Sequence, residues 1–315
     1  MRRALVVLAI LFAPAGAAAQ VETLKVAISQ RGFWDSSFVE FAQKEGFLKQ
    51  AGLDVDLFYT DGGAQTLTAV TSASVDIGMS NGLLGAVGAY AKGAPVRAVS
   101  AQMTGAHELY WYVRADSPIQ NLKEAEGKTV AFSSPGSSSN LILLSLLKQA
   151  NSKAKPIATG GLPGTHTQVM TGQIDIGWAA PPFGLQDAAD GKIRIIARAR
   201  EATELANQTI RVNIVHVDRL AAKRNALTRF LQVYAKAIDW AYENPRAIQY
   251  FADSSKVSPA IAKKAIDDFY PKAALQVGEI RDLDRTLKDA LDYKYLTAPK
   301  TAQEVSGFID ILYKP

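Results

Sequence analysis

Apolar runs of strand length alternate with amphipathic stretches through most of this chain. Residues 24–28 read as a strand, and 36–50 as a helix that turns Phe38, Phe41, Phe47 and Leu48 toward a core. Strands follow at 55–59, 75–79 and 96–100, with helices at 67–72 and 83–92 between them. The series restarts with strands at 109–113, 129–132, 157–159, 174–178, 193–197 and 210–217, most of them separated by helical stretches. Such alternation predicts parallel sheets covered on both faces by right-handed crossovers. Beyond residue 217 the period is helical, over 218–244, 245–252, 259–270 and 283–293, with Pro245, Pro259 and Pro271 as punctuation.

One segment is written twice. "TLTAVTSASVDIG" (residues 66–78) aligns without a gap on "THTQVMTGQIDIG" (165–177), with six identities in thirteen positions. Gly62-Gly63 and Gly160-Gly161 precede the two copies. The expected fold class is therefore α/β: two Rossmann-like lobes, one copy in each, joined by a two-strand hinge and followed by a helical C-terminal tail. The expected division gives 20–105 with 218–315 to lobe 1 and 106–217 to lobe 2. The joint falls near 102–107 and the return crossing near 207–217.

Composition narrows the setting. The first nineteen residues combine Arg2 and Arg3, the apolar run 4–13, Pro14 and the small residues Ala17–Ala18–Ala19, the pattern of a secretory signal cut before Gln20. Ten apolar residues are too few to span a bilayer, which takes about 20. Without Arg2 and Arg3 the balance is 33 basic against 30 acidic residues, with no Lys/Arg block, so nucleic acid is not an expected partner. There is no cysteine, hence no disulfide and no thiol for lipid attachment. These features predict a periplasmic protein, exported by a cleavable signal peptide and not lipid-anchored.

The sequence resembles the solute-binding proteins of ABC importers in the nitrate/sulfonate/taurine and thiamine-pyrimidine group. The residues that carry the likeness are "GFLKQAGLDVDL" (46–57), "DGGAQTLTAVTSASVDIGMSN" (61–81), "GKTVAFSSPGSSSN" (127–140) and "TGQIDIGWAAPP" (171–182). It extends over essentially the whole mature chain. The resemblance implies a type II periplasmic binding protein, with a small-molecule ligand held in the cleft between two lobes. It also implies an inner-membrane ABC permease and its ATPase as partners, a monomer, and no cofactor.

In open α/β sheets ligands sit beyond the carboxyl ends of strands, where helix N-termini point. That rule selects "SSPGSSSN", which follows the strand 129–132 and opens an apolar helix. Ser133, Ser134, Gly136, Ser137 and Ser138 there offer hydroxyls and free backbone N–H groups to an anionic or polar head. The matching loop of lobe 1, "SQRGFWDSS", offers the Arg31 guanidinium and the flat faces of Phe33 and Trp34. Gly63, Ser80, Asn81, His166, Ala180 and Pro181 occupy the remaining strand-end positions. Asp76 and Asp175, inside apolar strands, read as structural carboxylates that hold neighbouring backbone N–H groups, because an unpaired buried charge is costly.

Catalytic alternatives are weaker. "GMSNG" (78–82) satisfies G-x-S-x-G around Ser80 and sits between strand and helix. Only two strands precede it, however, and no histidine follows His216. "GKT" (127–129) has Leu122 where a phosphate loop needs its first glycine. His107, His166 and His216 have no metal-ligand spacing, and no metal is expected. The chain is thus expected to bind rather than catalyse. It would deliver a small organic anion (sulfonate, carboxylate or nitrate-like) to a transporter, with a pyrimidine or thiamine precursor as the alternative ligand and a serine hydrolase as the remote one.

Overall fold

The computed structural model describes residues 21–315; the expected signal segment, residues 1–19, lies outside the described residues. The first half builds β1 (Glu22–Ser29), α1 (Phe38–Lys44), α2 (Phe47–Gln50), β2 (Leu53–Thr60), α3 (Gly63–Thr71), β3 (Ile77–Gly82), α4 (Leu83–Ala91) and β4 (Val96–Thr104). The second builds β5 (Tyr110–Arg114), β6 (Thr129–Phe132), α5 (Ser138–Gln149), β7 (Lys155–Ala158), α6 (Leu162–Met170), β8 (Gly177–Ala179), α7 (Leu185–Ala189) and β9 (Ile193–Arg198). The chain then returns through β10 (Thr209–His216) and ends in α8 (Val217–Glu243), α9 (Pro245–Ser255), α10 (Pro259–Phe269) and α11 (Leu283–Asp292).

The first sheet has the order β2-β1-β3-β10-β4, with β1, β2 and β3 parallel and β10 antiparallel to both its neighbours. In the second half, β6 pairs with β7 in parallel, and β5 pairs antiparallel with β8 and β9. Ala131 and Ile176 join the two groups, through Ala131 N–H to Ile176 O at 2.8 Å and Ile176 N–H to Thr129 O at 3.0 Å. The resulting order, β7-β6-β8-β5-β9, repeats that of the first sheet strand for strand.

In each sheet the strand that breaks the parallel run, β10 or β5, has arrived across the hinge. The expectation of purely parallel sheets is corrected accordingly: a strand entering from the other lobe runs in the reverse direction. The expected division is corrected at its edge as well. It placed residues through 217 in lobe 2, but β10 hydrogen-bonds between β3 and β4 of the first sheet.

The doubled segment has a doubled geometry. Thr66 and Thr165 are the fourth residues of α3 and α6, both fully buried, and their hydroxyls meet those of Thr60 at 2.7 Å and Thr159 at 2.6 Å. Asp76 accepts from the Lys25 backbone N–H at 2.8 Å, and Asp175 from that of Thr129 at 2.9 Å. Each carboxylate therefore ties the start of its inner strand to the neighbouring strand, the structural role expected of it. Lys223, at a kink in α8, adds an ammonium 2.8 Å from Asp76.

Local chemistry explains the helix boundaries. Gly46 adopts φ 72°, which stops α1 and separates it from α2, so the single helix expected over 36–50 is two. Pro245 and Pro259 open α9 and α10 behind the capping side chains of Asn244 and Ser258. Trp34 is fully buried where α1, α8 and α9 meet, edge-on to Phe38, Phe41, Tyr242 and Phe251 with ring centroids 5.2–5.7 Å away. The tail also reaches the second lobe: Tyr270 donates to Pro181 O at 2.8 Å, and Tyr295 to Asn140 Oδ1 at 2.7 Å.

Candidate functional site

The carboxyl ends of the inner strands of both lobes converge on one small cavity of about 20 Å³. Ser29 and Gln30 reach it from the end of β1, Gly62 and Gly63 from the start of α3, and Ser80 from β3. Lobe 2 contributes Ser133 after β6, Ser137, Ser138 and Ser139 from the first turn of α5, and Trp178 from β8. Phe33 and Arg211 complete the wall. Ser137 is already engaged as the α5 N-cap, accepting from Asn140 N–H at 3.2 Å. Ser80 Oγ and Trp178 Nε1 are buried with no hydrogen-bond partner among the described residues.

The two lobes touch beside this cavity. Ala64 N–H donates to Ser134 Oγ at 3.3 Å, and Gly85 N–H to Gly136 O at 3.0 Å. Glycines permit the approach. A Cβ on Gly82 would stand 2.2 Å from Gly136 O, and one on Gly136 2.6 Å from Gly85 Cα. A volume of about 20 Å³ holds a single water-sized group.

Arg211 lies at the centre of the electrostatics. It projects from β10, is 4% exposed, and bridges three segments. Its Nη1 donates to Asp35 Oδ2 at 2.7 Å, its Nη2 to Glu108 Oε1, and its Nε to Ser138 Oγ at 2.9 Å. Asp35 also accepts from Gln102 Nε2 at 2.9 Å. Burial pushes the Glu108 carboxyl up, and Arg211 only partly offsets this. Burial likewise opposes the guanidinium's charge, but Glu108 and Asp35 together hold it firmly protonated.

The residues expected from sequence divide into three groups. Phe33, Gly63, Ser80, Ser133, Ser137 and Ser138 line the cavity. Asn81, Ser134 and Gly136 stand just behind it: Asn81 donates to Gly63 O at 3.1 Å, and the other two make the contacts between lobes. Arg31, Trp34, His166, Ala180 and Pro181 are not among its lining residues. The Arg31 side chain is 71% exposed, over the Tyr59 ring and 3.4 Å from Glu40. His166 Nε2 is 3.1 Å from Asp187 in lobe 2.

Sequence reasoning missed Arg211, Asp35, Glu108, Ser29, Gln30, Ser139 and Trp178. One signal was available for Arg211: it is the lone charge within the apolar run "TIRVNIVHV". A larger groove of about 790 Å³ runs between α8, residues 272–281 and the C-terminus, and contains none of the strand-end positions.

For catalysis the geometry offers little. Ser80 has φ 56°, as a strained strand-to-helix turn would, yet no base lies within hydrogen-bond distance of its hydroxyl among the described residues. No group of three or more side chains suited to a metal ion occurs among the described residues.

Comparison with curated protein sequences returns no match. Among solved structures, the alkanesulfonate-binding protein SsuA from Xanthomonas axonopodis pv. citri, bound to MOPS, superposes with a TM-score of 0.74 at 19% identity. That match covers 90% of this chain and 96% of the other. The Candida albicans CA3427 gene product, described as having the generic periplasmic binding protein fold, gives 0.73 at 16% identity, covering 91% and 95%. The periplasmic aliphatic sulphonate binding protein SsuA from Escherichia coli gives 0.66 at 19% identity, covering 87% of each chain. At such identities the likeness establishes the fold, that of periplasmic binding proteins. Residues 35–248 match the family described as NMT1/THI5 like, and over that span, more than half of its length, the chain belongs to this family.

Proposed function

We propose that the protein is the periplasmic solute-binding component of an ABC importer, which captures a small organic anion between its lobes and presents it to an inner-membrane permease. The observation that carries this reading is the small cavity between the N-terminal turns of α3 and α5, with the unpaired Ser80 hydroxyl and Trp178 indole N–H at its wall. Unpaired helix N–H groups carry partial positive charge and suit an oxyanion, and Ser29, Ser133, Ser138 and Ser139 add further hydroxyls. The likeness to two sulfonate-binding proteins supports the same class. Two chain crossings between the lobes supply a hinge, and ligand binding shifts the balance between open and shut forms.

A second reading, a pyrimidine-type heterocycle, is favoured by the aromatic walls Phe33 and Trp178. A thermal-shift screen of sulfonates, carboxylates, nitrate and pyrimidines separates the two, since a bound ligand raises Tm by mass action. Anions that raise Tm support the proposal. A shift with pyrimidines and with no anion replaces it by the second reading.

A further inference from the structure

The ligand's head group is constrained by the charges behind Arg211. We infer that the site selects a permanently singly charged oxyanion, of sulfonate type, against a phosphonate or phosphate of the same shape, and that Asp35 and Glu108 enforce the choice. The inference rests on the anion reading above and narrows it.

Three features carry it. First, the groups left unpaired at the cavity wall suit donation: Trp178 Nε1 can only donate, and Ser80 Oγ is free to do so. Second, the lining includes no carboxylate. A phosphonate monoanion keeps one P–O–H, for which the wall offers serine hydroxyls but no charged acceptor, and hydrogen bonds to charged groups are the stronger ones. A sulfonate has no such proton. Third, the dianion meets a different obstacle. Arg211 is the only charged side chain in the lining, and two of its nitrogens are bound to buried carboxylates. Two carboxyl groups against one guanidinium leave no surplus of positive charge, even if one of them holds a proton. Arg211 thus spends its Nε–H on Ser138 Oγ, holding that hydroxyl at the cavity wall without attracting a second negative charge.

The test compares an alkanesulfonate with the alkylphosphonate of equal chain length by calorimetric titration of the folded wild-type protein. One titration is made where the phosphonate is singly charged and one where it is doubly charged. The sulfonate is expected to bind at least about tenfold tighter in both. Equal affinities, or a tighter phosphonate, overturn the inference while leaving the anion-receptor reading intact. Binding of a pyrimidine with neither anion bound overturns both.

Asp35→Asn and Glu108→Gln assign the cause. At least one of them, if folded, is expected to narrow the dianion ratio at least about threefold, because replacing the ionised carboxylate removes a negative charge beside Arg211. An unchanged ratio in both folded variants removes the carboxylates from the argument. If neither variant folds, the wild-type ratio decides the matter alone.

Discussion

Arg211 and Arg31 show why charge in a sequence is hard to read. Arg31 stands in a glycine-containing loop at a strand end and invites a ligand role, yet its side chain is largely in solvent. Arg211 sits in an apolar strand, and its acidic partners are 176 and 103 residues away along the chain, beyond any local pattern. The serine loop was legible because the spacing of strand, serines and apolar helix is itself local. Replacing Arg211 with Ala leaves two buried carboxyl groups uncompensated and is expected to destabilise the fold by about 3–5 kcal/mol, measured by urea unfolding. Ser80→Ala removes a hydroxyl with no protein partner. It is expected to leave stability nearly unchanged and to weaken anion binding by roughly 1 kcal/mol, measured by titration. Arg31→Ala, by contrast, is expected to change anion affinity less than Ser80→Ala does.

At the scale of elements, the paired Asp-Ile-Gly segments were legible as architecture because a carboxylate inside an apolar strand needs a partner. Their matching bonds to the backbone N–H groups of Lys25 in β1 and Thr129 in β6 bear this out. Their surroundings differ: the Asp76 side chain is 4% exposed and that of Asp175 35%. Partial burial works against the Asp175 charge, but the N–H and hydroxyl of Thr129 and the Lys128 ammonium hold its carboxyl below the ordinary value of 3.8. A carboxyl depressed on folding stabilises the protein at pH values above its unfolded range, and that contribution disappears as pH falls through the folded value. Asp175→Asn should therefore lower stability at neutral pH and flatten the loss of stability below about pH 4, which a series of thermal melts checks. The exact reach of β3 was not legible. It starts at Ile77 and runs to Gly82, so Ser80 and Asn81, expected just past the end of a strand over 75–79, belong to the strand itself.

For the whole molecule, the alternation of elements and the internal repeat disclosed two lobes. They did not disclose that each sheet borrows its fourth strand across the hinge, since pairing between distant strands leaves no periodic trace. The contact between the lobes depends on bare backbone at the seam. Gly82 has φ −63°, a value any residue adopts, and the nearest atoms a Cβ there would meet belong to Gly136 and Ser137 of the opposite lobe. Gly82→Ala is thus expected to fold normally but to stay open. X-ray scattering should report a larger radius of gyration that ligand fails to reduce, and anion affinity should drop at least about tenfold. A variant that compacts like wild type would remove the seam from the account.

The borrowed strands also decide the order in which the halves can be finished. Every strand of the later-encoded sheet has been made by Arg198, whereas the earlier one lacks its fourth member until His216 exists. A nascent chain therefore carries an unfilled slot between β3 and β4 while the downstream half can already complete its own hydrogen-bond ladder. What is translated first is sealed last, and a ribosome stalled once residues up to about 205 have left its exit tunnel would display the second lobe protected from protease and the first still open to it.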